Sequence, residues 1–381
     1  MNKQHLRGDR VIAFAVMIQP LLIVLQIIMI DYFHMDANST TEYRVFLTAI
    51  PMIVAMVVAL YRNPLRFFIG YAVAVFLLLF TMIFFPDNTP YVTSQGMRFL
   101  LPVVVPSFLC LTVVYDYCIV EKTLYVVSCL TMVLVTFYIF GLLSGIVIFE
   151  AYNMAFSFAC VLPFVVFYSH RKYYDIIACL VLFVLAVAIG ARGAALCMAI
   201  YVVFDMFQYK NKRRFVILAL IILFVVFLPL LYNWLSSIGI SSRTLNMLFE
   251  GDISSDSGRS VIRAHFINQL NKHPFGGLGL FGDRLLIGEP YCHNLILEVL
   301  IDFGIPLGGL LIVIGLIKLI SLFLRSDSKN RNRIIEYFCA LVWPFMTSGS
   351  YLIDSNFAIF LGLCYLINKN QTNTSDNACI A

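Results

Sequence analysis

Charge is what this 381-residue chain has least of. Asp, Glu, Lys and Arg together make up 12% of it, about half the quarter expected of a soluble domain. Hydrophobic residues reach 61% and the mean hydropathy is +0.91. A soluble chain of this size has nowhere to hide so much apolar surface, so its solvent is lipid. Tryptophan is scarce, two residues against 34 Phe and 20 Tyr, a bias of composition that points to no activity. The ten cysteines contain no Cys-x-x-Cys pair or other metal spacing. Cys129, Cys160, Cys197 and Cys364 fall in apolar runs, where cysteine packs as a small hydrophobe. No glycine-rich turn ends in Gly-Lys-Ser/Thr, which excludes a P-loop. Asp-x-Asp pairs, solenoid repeats, heptads and long low-complexity segments are also missing. No metal, no cofactor and no nucleic-acid partner are therefore expected.

What is present is a succession of apolar runs, each near the roughly 20 residues that span a bilayer as helix. Twelve spans are expected, near residues 11–30, 46–60, 67–85, 99–115, 124–148, 154–168, 175–190, 194–208, 215–232, 305–324, 334–347 and 356–367. The first follows Lys3, Arg7 and Arg10 and has no small-residue cleavage site, so it reads as a retained helix rather than a removable signal. Lys and Arg then alternate in density along the connections. Arg62, Arg66, Lys122, Arg171, Lys172 and the Lys210–Arg214 cluster fall on the side of the N-terminus, as do Arg325 to Arg333 and Lys369. Arg44, Arg98, Arg192 and five cations of residues 233–304 fall on the other side. The positive-inside rule then makes both termini cytoplasmic and turns the long interval outward. The expected fold class is all-α, a single polytopic membrane domain over residues 1–381 carrying one long periplasmic loop, 233–304.

That loop holds most of the polar chemistry. Ser257-Gly258-Arg259 precedes an amphipathic stretch to Leu270; Ser257 is placed to cap it, and a helix start favours an anion. His273-Pro274-Phe275-Gly276-Gly277-Leu278-Gly279 reads as a sharp turn with positions open to positive φ. His293-Asn294 then begins a helix to Phe303, broken at Gly304-Ile305-Pro306. Leu295, Ile296, Val299, Leu300 and Phe303 alternate with a polar stripe of Glu298 and Asp302, the pattern of a helix lying in the membrane interface. Arg192 sits among small residues, Gly190-Ala191-Arg192-Gly193-Ala194, between two spans. By spacing alone it reads as a helix-end anchor or as a guanidinium for phosphate oxygens. By the same standard Arg259 is a solvated surface charge and His293 a structural histidine.

Together, Arg192, Gly258-Arg259, the Pro274–Gly279 turn and His293-Asn294 followed by nine residues and Gly304 resemble the O-antigen polymerase and ligase superfamily, the Wzy and WaaL proteins. The resemblance covers the long loop and the Arg192 junction; elsewhere it rests on hydropathy. Arg263 stands where the family often has Trp, and Gly308 comes one place later than the ligase pattern. The resemblance implies a metal-independent membrane glycosyltransferase of GT-C-like architecture in the bacterial inner membrane. Its substrate would be an oligosaccharide on undecaprenyl diphosphate, and a chain-length regulator protein would be a possible partner. Arg192 and Arg259 would hold and stabilise the leaving diphosphate, and His293 would take the proton of the attacking hydroxyl. Gly277, Gly279 and Asn294 would complete the substrate site. The divergence from the ligase pattern favours a polymerase of O-antigen or capsule repeat units, with an O-antigen ligase as the alternative.

Two rival readings use other residues. A transporter or flippase would place ionisable groups inside the spans, where only Lys318 and Asp205 come near. A first outer loop with Asp31, His34, Asp36 and Glu42 would suit a metal-dependent transferase with a carboxylate base.

Overall fold

The computed structural model describes residues 3–147, 153–170, 172–189, 192–208, 226–237, 242–249, 259–286 and 291–378. Every regular element among them is helical, as backbone exposed to hydrocarbon requires. The first expected span is a bent pair, α1 (Lys3–Met17) and α2 (Gln19–Asp31), turned by 44°. Pro20, which has no N–H to offer the preceding turn, sits at the break. α3 (Ala37–Arg62) starts at Asp36, whose carboxylate accepts from the Ser39 amide at 2.9 Å. Asn63 ends α3 and caps α4 (Pro64–Phe84), with Pro64 at the first helical position; the two long helices therefore reverse within one residue.

α5 (Pro86–Thr112) winds as π-helix over Val92–Val104, and α6 (Tyr117–Leu143) is capped by Asp116. Next come α7 (Met154–His170), α8 (Tyr173–Ala188) and α9 (Arg192–Gln208). Residues 226–237 form α10, followed by α11 (Arg243–Phe249) and α12 (Arg259–Lys272). α13 (Leu295–Arg325) is kinked at Gly304, and α14 (Ser328–Tyr337) runs on through a π-helical turn and a 3-10 turn to Met346. α15 (Asn356–Ala378) closes the described chain.

Among the described residues α3, α4, α5, α6 and α13 are long and apolar enough to cross a bilayer, and the α1–α2 pair makes a sixth. The chain is an integral membrane protein. Its lipid-facing surface is most evident on α13, where Leu307, Leu310, Val313, Ile317, Ile320 and Leu324 are all exposed. The other expected spans are also helical where described, but shorter; the 215–232 segment lies largely outside the described residues. A continuous core around Val16, Met52, Cys110, Tyr138, Phe156 and Leu363 joins the first helices to the last.

The two ends of the bundle carry different polar networks. At one end Arg62 pairs with buried Asp9 at 2.5 Å, Arg333 pairs with Glu121 at 2.5 Å, and Lys369 donates to the Val114 carbonyl. These residues come from connections that the charge alternation assigns to one side. At the opposite end Tyr138 donates to Asp31, and Asn88 holds the carbonyls of Leu278 and Leu280. The polar interval folds onto this second end. Where described it is not an open loop, because α11, α12, a 3-10 turn at Gly282–Leu285 and the start of α13 occupy it.

Candidate active site

The glycine turn and the α13 kink make one structure. Gly277 (φ +64°) and Gly304 (φ +75°) take left-handed backbone, and their main chains touch. A Cβ on Gly304 would lie 2.5 Å from the Phe275 carbonyl oxygen, and one on Gly277 would lie 2.5 Å from the Ile301 oxygen. The Leu278 amide donates to Ile301 and the Ile305 amide to Pro274, both at 2.7 Å. Gly279 (φ +76°) brings its backbone against the Phe85 ring. The turn is thus clamped between the α4–α5 corner and the kink. It sets the direction of residues 295–303 relative to the span that follows.

The site's floor is a buried charge cluster. Arg284 pairs with Asp283 and, at 3.0 Å, with Glu298; it also donates to Ser350 Oγ at 2.6 Å and to Gln95 at 3.3 Å. Ser350 donates in turn to Glu298, and the Tyr351 hydroxyl donates to Asp302 at 2.5 Å. Burial works against the charge on Arg284, but Asp283 and then Glu298 outweigh it, and the guanidinium is held above its ordinary pKa. The cluster ties together three stretches distant in sequence: 283–284, 298–302 and 350–351. The polar stripe expected on an interface-lying helix is corrected here. Glu298 and Asp302 are buried and face the Arg284 cluster, because a carboxylate pair at i, i+4 serves an internal cation as readily as water.

His293 stands on that floor. Asp283 accepts from the Cys292 amide at 2.9 Å, and Asn294 accepts from the Leu297 amide at 3.0 Å. The helix therefore starts at Leu295 with Asn294 as its cap, one residue beyond the expected His293-Asn294 start. Between these two anchors His293 takes φ +57°, uncommon and costly for a residue with a side chain, and held only where the surroundings impose it. Its ring packs edge-on against Tyr291, centroids 4.4 Å apart. Burial raises the Tyr291 pKa, while hydrogen bonds to the Ser348 side chain and the Gly349 backbone oppose the rise.

The segment 347–351, between α14 and α15, is the hub. Gly193 lies so close to it that a Cβ there would meet Thr347 Oγ1 at 2.8 Å. Arg192, the exposed first residue of α9, is thereby set beside the segment that holds Tyr291. Arg259 opens α12, and one turn on Ile262 packs into a cluster with Phe266, Cys292 and Ile301. Its side chain and the expected Ser257 cap lie outside the described residues. The start of α9 thus reaches the hub directly, His293 reaches it through Tyr291, and α12 packs against Cys292 beside that histidine, with Asn294 as a cap and Gly277 and Gly279 shaping the turn beneath. Sequence reading missed Asp283, Arg284, Tyr291 and the hub. The polar run Thr347-Ser348-Gly349-Ser350 within an apolar stretch was its only visible sign.

Residues 177–314, which carry Arg192, Arg259 and His293, match the family described as O-Antigen ligase. Over these residues the chain is similar to the O-antigen polymerase and ligase superfamily. The match takes in a little over a third of the chain and ends within α13. No curated protein and no solved structure matches it. Members of this superfamily are membrane enzymes that act on polyprenyl-linked glycans.

The rival acidic loop is put to structural use. Asp36 caps α3 and Asp31 accepts from Tyr138. Among the described residues no three His, Cys, Asp or Glu side chains gather around a point that could hold a metal.

Proposed function

We propose that this chain is a polysaccharide polymerase of that superfamily working at the periplasmic face of the bacterial inner membrane, with both termini cytoplasmic. It joins oligosaccharide repeat units carried on undecaprenyl diphosphate into O-antigen or capsule. The observation that carries this reading is His293, held in left-handed backbone between pinned neighbours. A histidine fixed this way, next to the charge cluster, suits general-base work near neutral pH.

In the proposed reaction His293 takes the proton from an acceptor hydroxyl. The hydroxyl oxygen forms a bond to the anomeric carbon, and the bond from that carbon to the donor diphosphate breaks with inversion. Arg192 and Arg259 balance the charge on the departing diphosphate. Asn294 and the Gly277–Gly279 turn keep the histidine's helix in register with the bound sugar. His293→Ala should lower turnover about 10²–10⁴-fold, the typical loss of a general base, at a normal level of inserted protein. Polymer of unchanged amount and length in a null strain carrying the variant would remove His293 from this role.

The ligase reading, transfer of a finished chain to the lipid A core, is favoured by the match of residues 177–314 to the O-antigen ligase family. The two separate in a deletion strain of a Gram-negative host. Loss of a polymerase leaves one short repeat unit on the lipid A core, visible as a single band. Loss of a ligase leaves no attached repeat and long chains on the polyprenyl carrier. A flippase is the weakest reading, since Arg284 and its acids, buried at the outer end, are paired with one another.

A further inference from the structure

A cavity of about 280 Å³ lies between α2, α3, the π-helical part of α5, α7 and residues 340–356. Most of its wall is apolar, with Ile23, Val103, Phe158 and Phe345 among the lining side chains. One end is polar, where Arg44, Tyr291, Ser348 and Asp354 line it. Arg44 is half-buried and makes no ion pair or side-chain hydrogen bond with a described residue. Asp354 attracts it and Arg98 repels it electrostatically. Asp354 forms no direct ion pair with it, and one carboxylate oxygen accepts from the Asn356 amide at the start of α15 at 2.9 Å.

A guanidinium half-buried in a largely apolar cavity with no bonded counterion is costly, and an entering anion relieves the cost. Its planar fork matches phosphate oxygens, and the apolar wall beyond matches a hydrocarbon chain. We propose that this cavity takes a phosphate group of a polyprenyl-linked glycan onto Arg44, with the first isoprene units along the apolar wall. Arg44 is then a third cation of the site, contributed by α3 and lying outside the 177–314 match. Tyr291 lines the cavity and also packs on His293, so a lipid phosphate held here delivers its sugar beside that histidine. The inference rests on the lipid-linked substrate of the proposed function.

The test uses the full-length protein in nanodiscs of zwitterionic lipid, titrated with undecaprenyl diphosphate. Arg44→Gln should weaken binding at least tenfold, and Arg44→Lys, which keeps charge without the fork, should fall between. Ile353→Trp fills the cavity and leaves the guanidinium in place. It should weaken binding similarly, and so measures the cavity independently of how Arg44→Gln folds. Uncharged undecaprenol should bind wild type and Arg44→Gln alike. Wild-type binding that both Arg44→Gln and Ile353→Trp leave unchanged overturns the cavity assignment alone. A wild-type protein that does not bind undecaprenyl diphosphate overturns this assignment and the proposed function together. Displacement by an equal excess of phosphatidylglycerol would make the cavity a bulk-lipid site and also refute the proposal. Steady-state rates then locate the phosphate: a raised KM for donor alone assigns Arg44 to the donor, and for acceptor alone to the acceptor.

Discussion

Replacing Arg284 by Met tests whether the buried charge cluster is what positions the histidine. The substitution keeps most of the side-chain volume and removes the one cation that, among the described residues, pairs with Asp283 and Glu298. Breaking a buried ion pair by removing one partner typically costs about 3–5 kcal/mol, because the remaining charge is left uncompensated. Arg284 also donates to Ser350 and Gln95, so the upper half of that range is expected. Reversible unfolding of the purified protein in mixed micelles measures it. If uncompensated charge is the cause, Glu298→Gln should be worse in the wild-type background than beside Arg284→Met. A double-mutant cycle should then return a coupling of about 1–3 kcal/mol, the range for residues in one network. The same variant should lower kcat more than it raises the KM of the lipid-linked donor, since Asp283 holds the Cys292 amide next to His293. A loss below about 1 kcal/mol, typical of a surface change, or zero coupling to Glu298, would refute the reasoning.

Other outcomes follow from the same geometry. Arg192→Lys and Arg259→Lys keep the charge but lose the bidentate fork, so both should slow turnover on a diphosphate-linked donor; full activity of both variants would make them plain surface charges. Gly304→Ala should destabilise by at least about 1–3 kcal/mol, the cost of a residue held in sparsely populated backbone, with the 2.5 Å approach to Phe275 added to it. Insertion at the wild-type level with unchanged unfolding would refute that estimate. Reporter fusions at Ser241 and Asn330 should score periplasmic and cytoplasmic respectively, and a reversed result at either sinks the proposed orientation.

Much of this protein is legible before any folding. Sparse charge and long apolar runs force an all-helical membrane chain, because hydrocarbon leaves backbone polar groups no partner but their own helix. The alternation of Lys and Arg separates the two ends of the bundle, and the Arg62–Asp9 and Arg333–Glu121 pairs lie together at one of them. Gly304-Ile305-Pro306 marks a break, and the break is there. These features are local, readable from a window of residues.

What lies between distant windows was not readable. Glu298 and Asp302 look the same in sequence whether they face water or a buried cation, and only packing against Arg284 and Ser350 decides it. Arg284 itself counts as one more loop charge until its carboxylates arrive from α13. Arg44 counts as one more cation of the outer side until α7 and the 340–356 segment join it around a cavity. The sequence alone determined the solvent and the helical class, since each depends on side-chain type and short-range order. The tertiary structure decided which charges are buried, which are paired, and which gather near His293. Those are matters of dielectric and distance between residues up to 255 positions apart, as Val114 and Lys369 are.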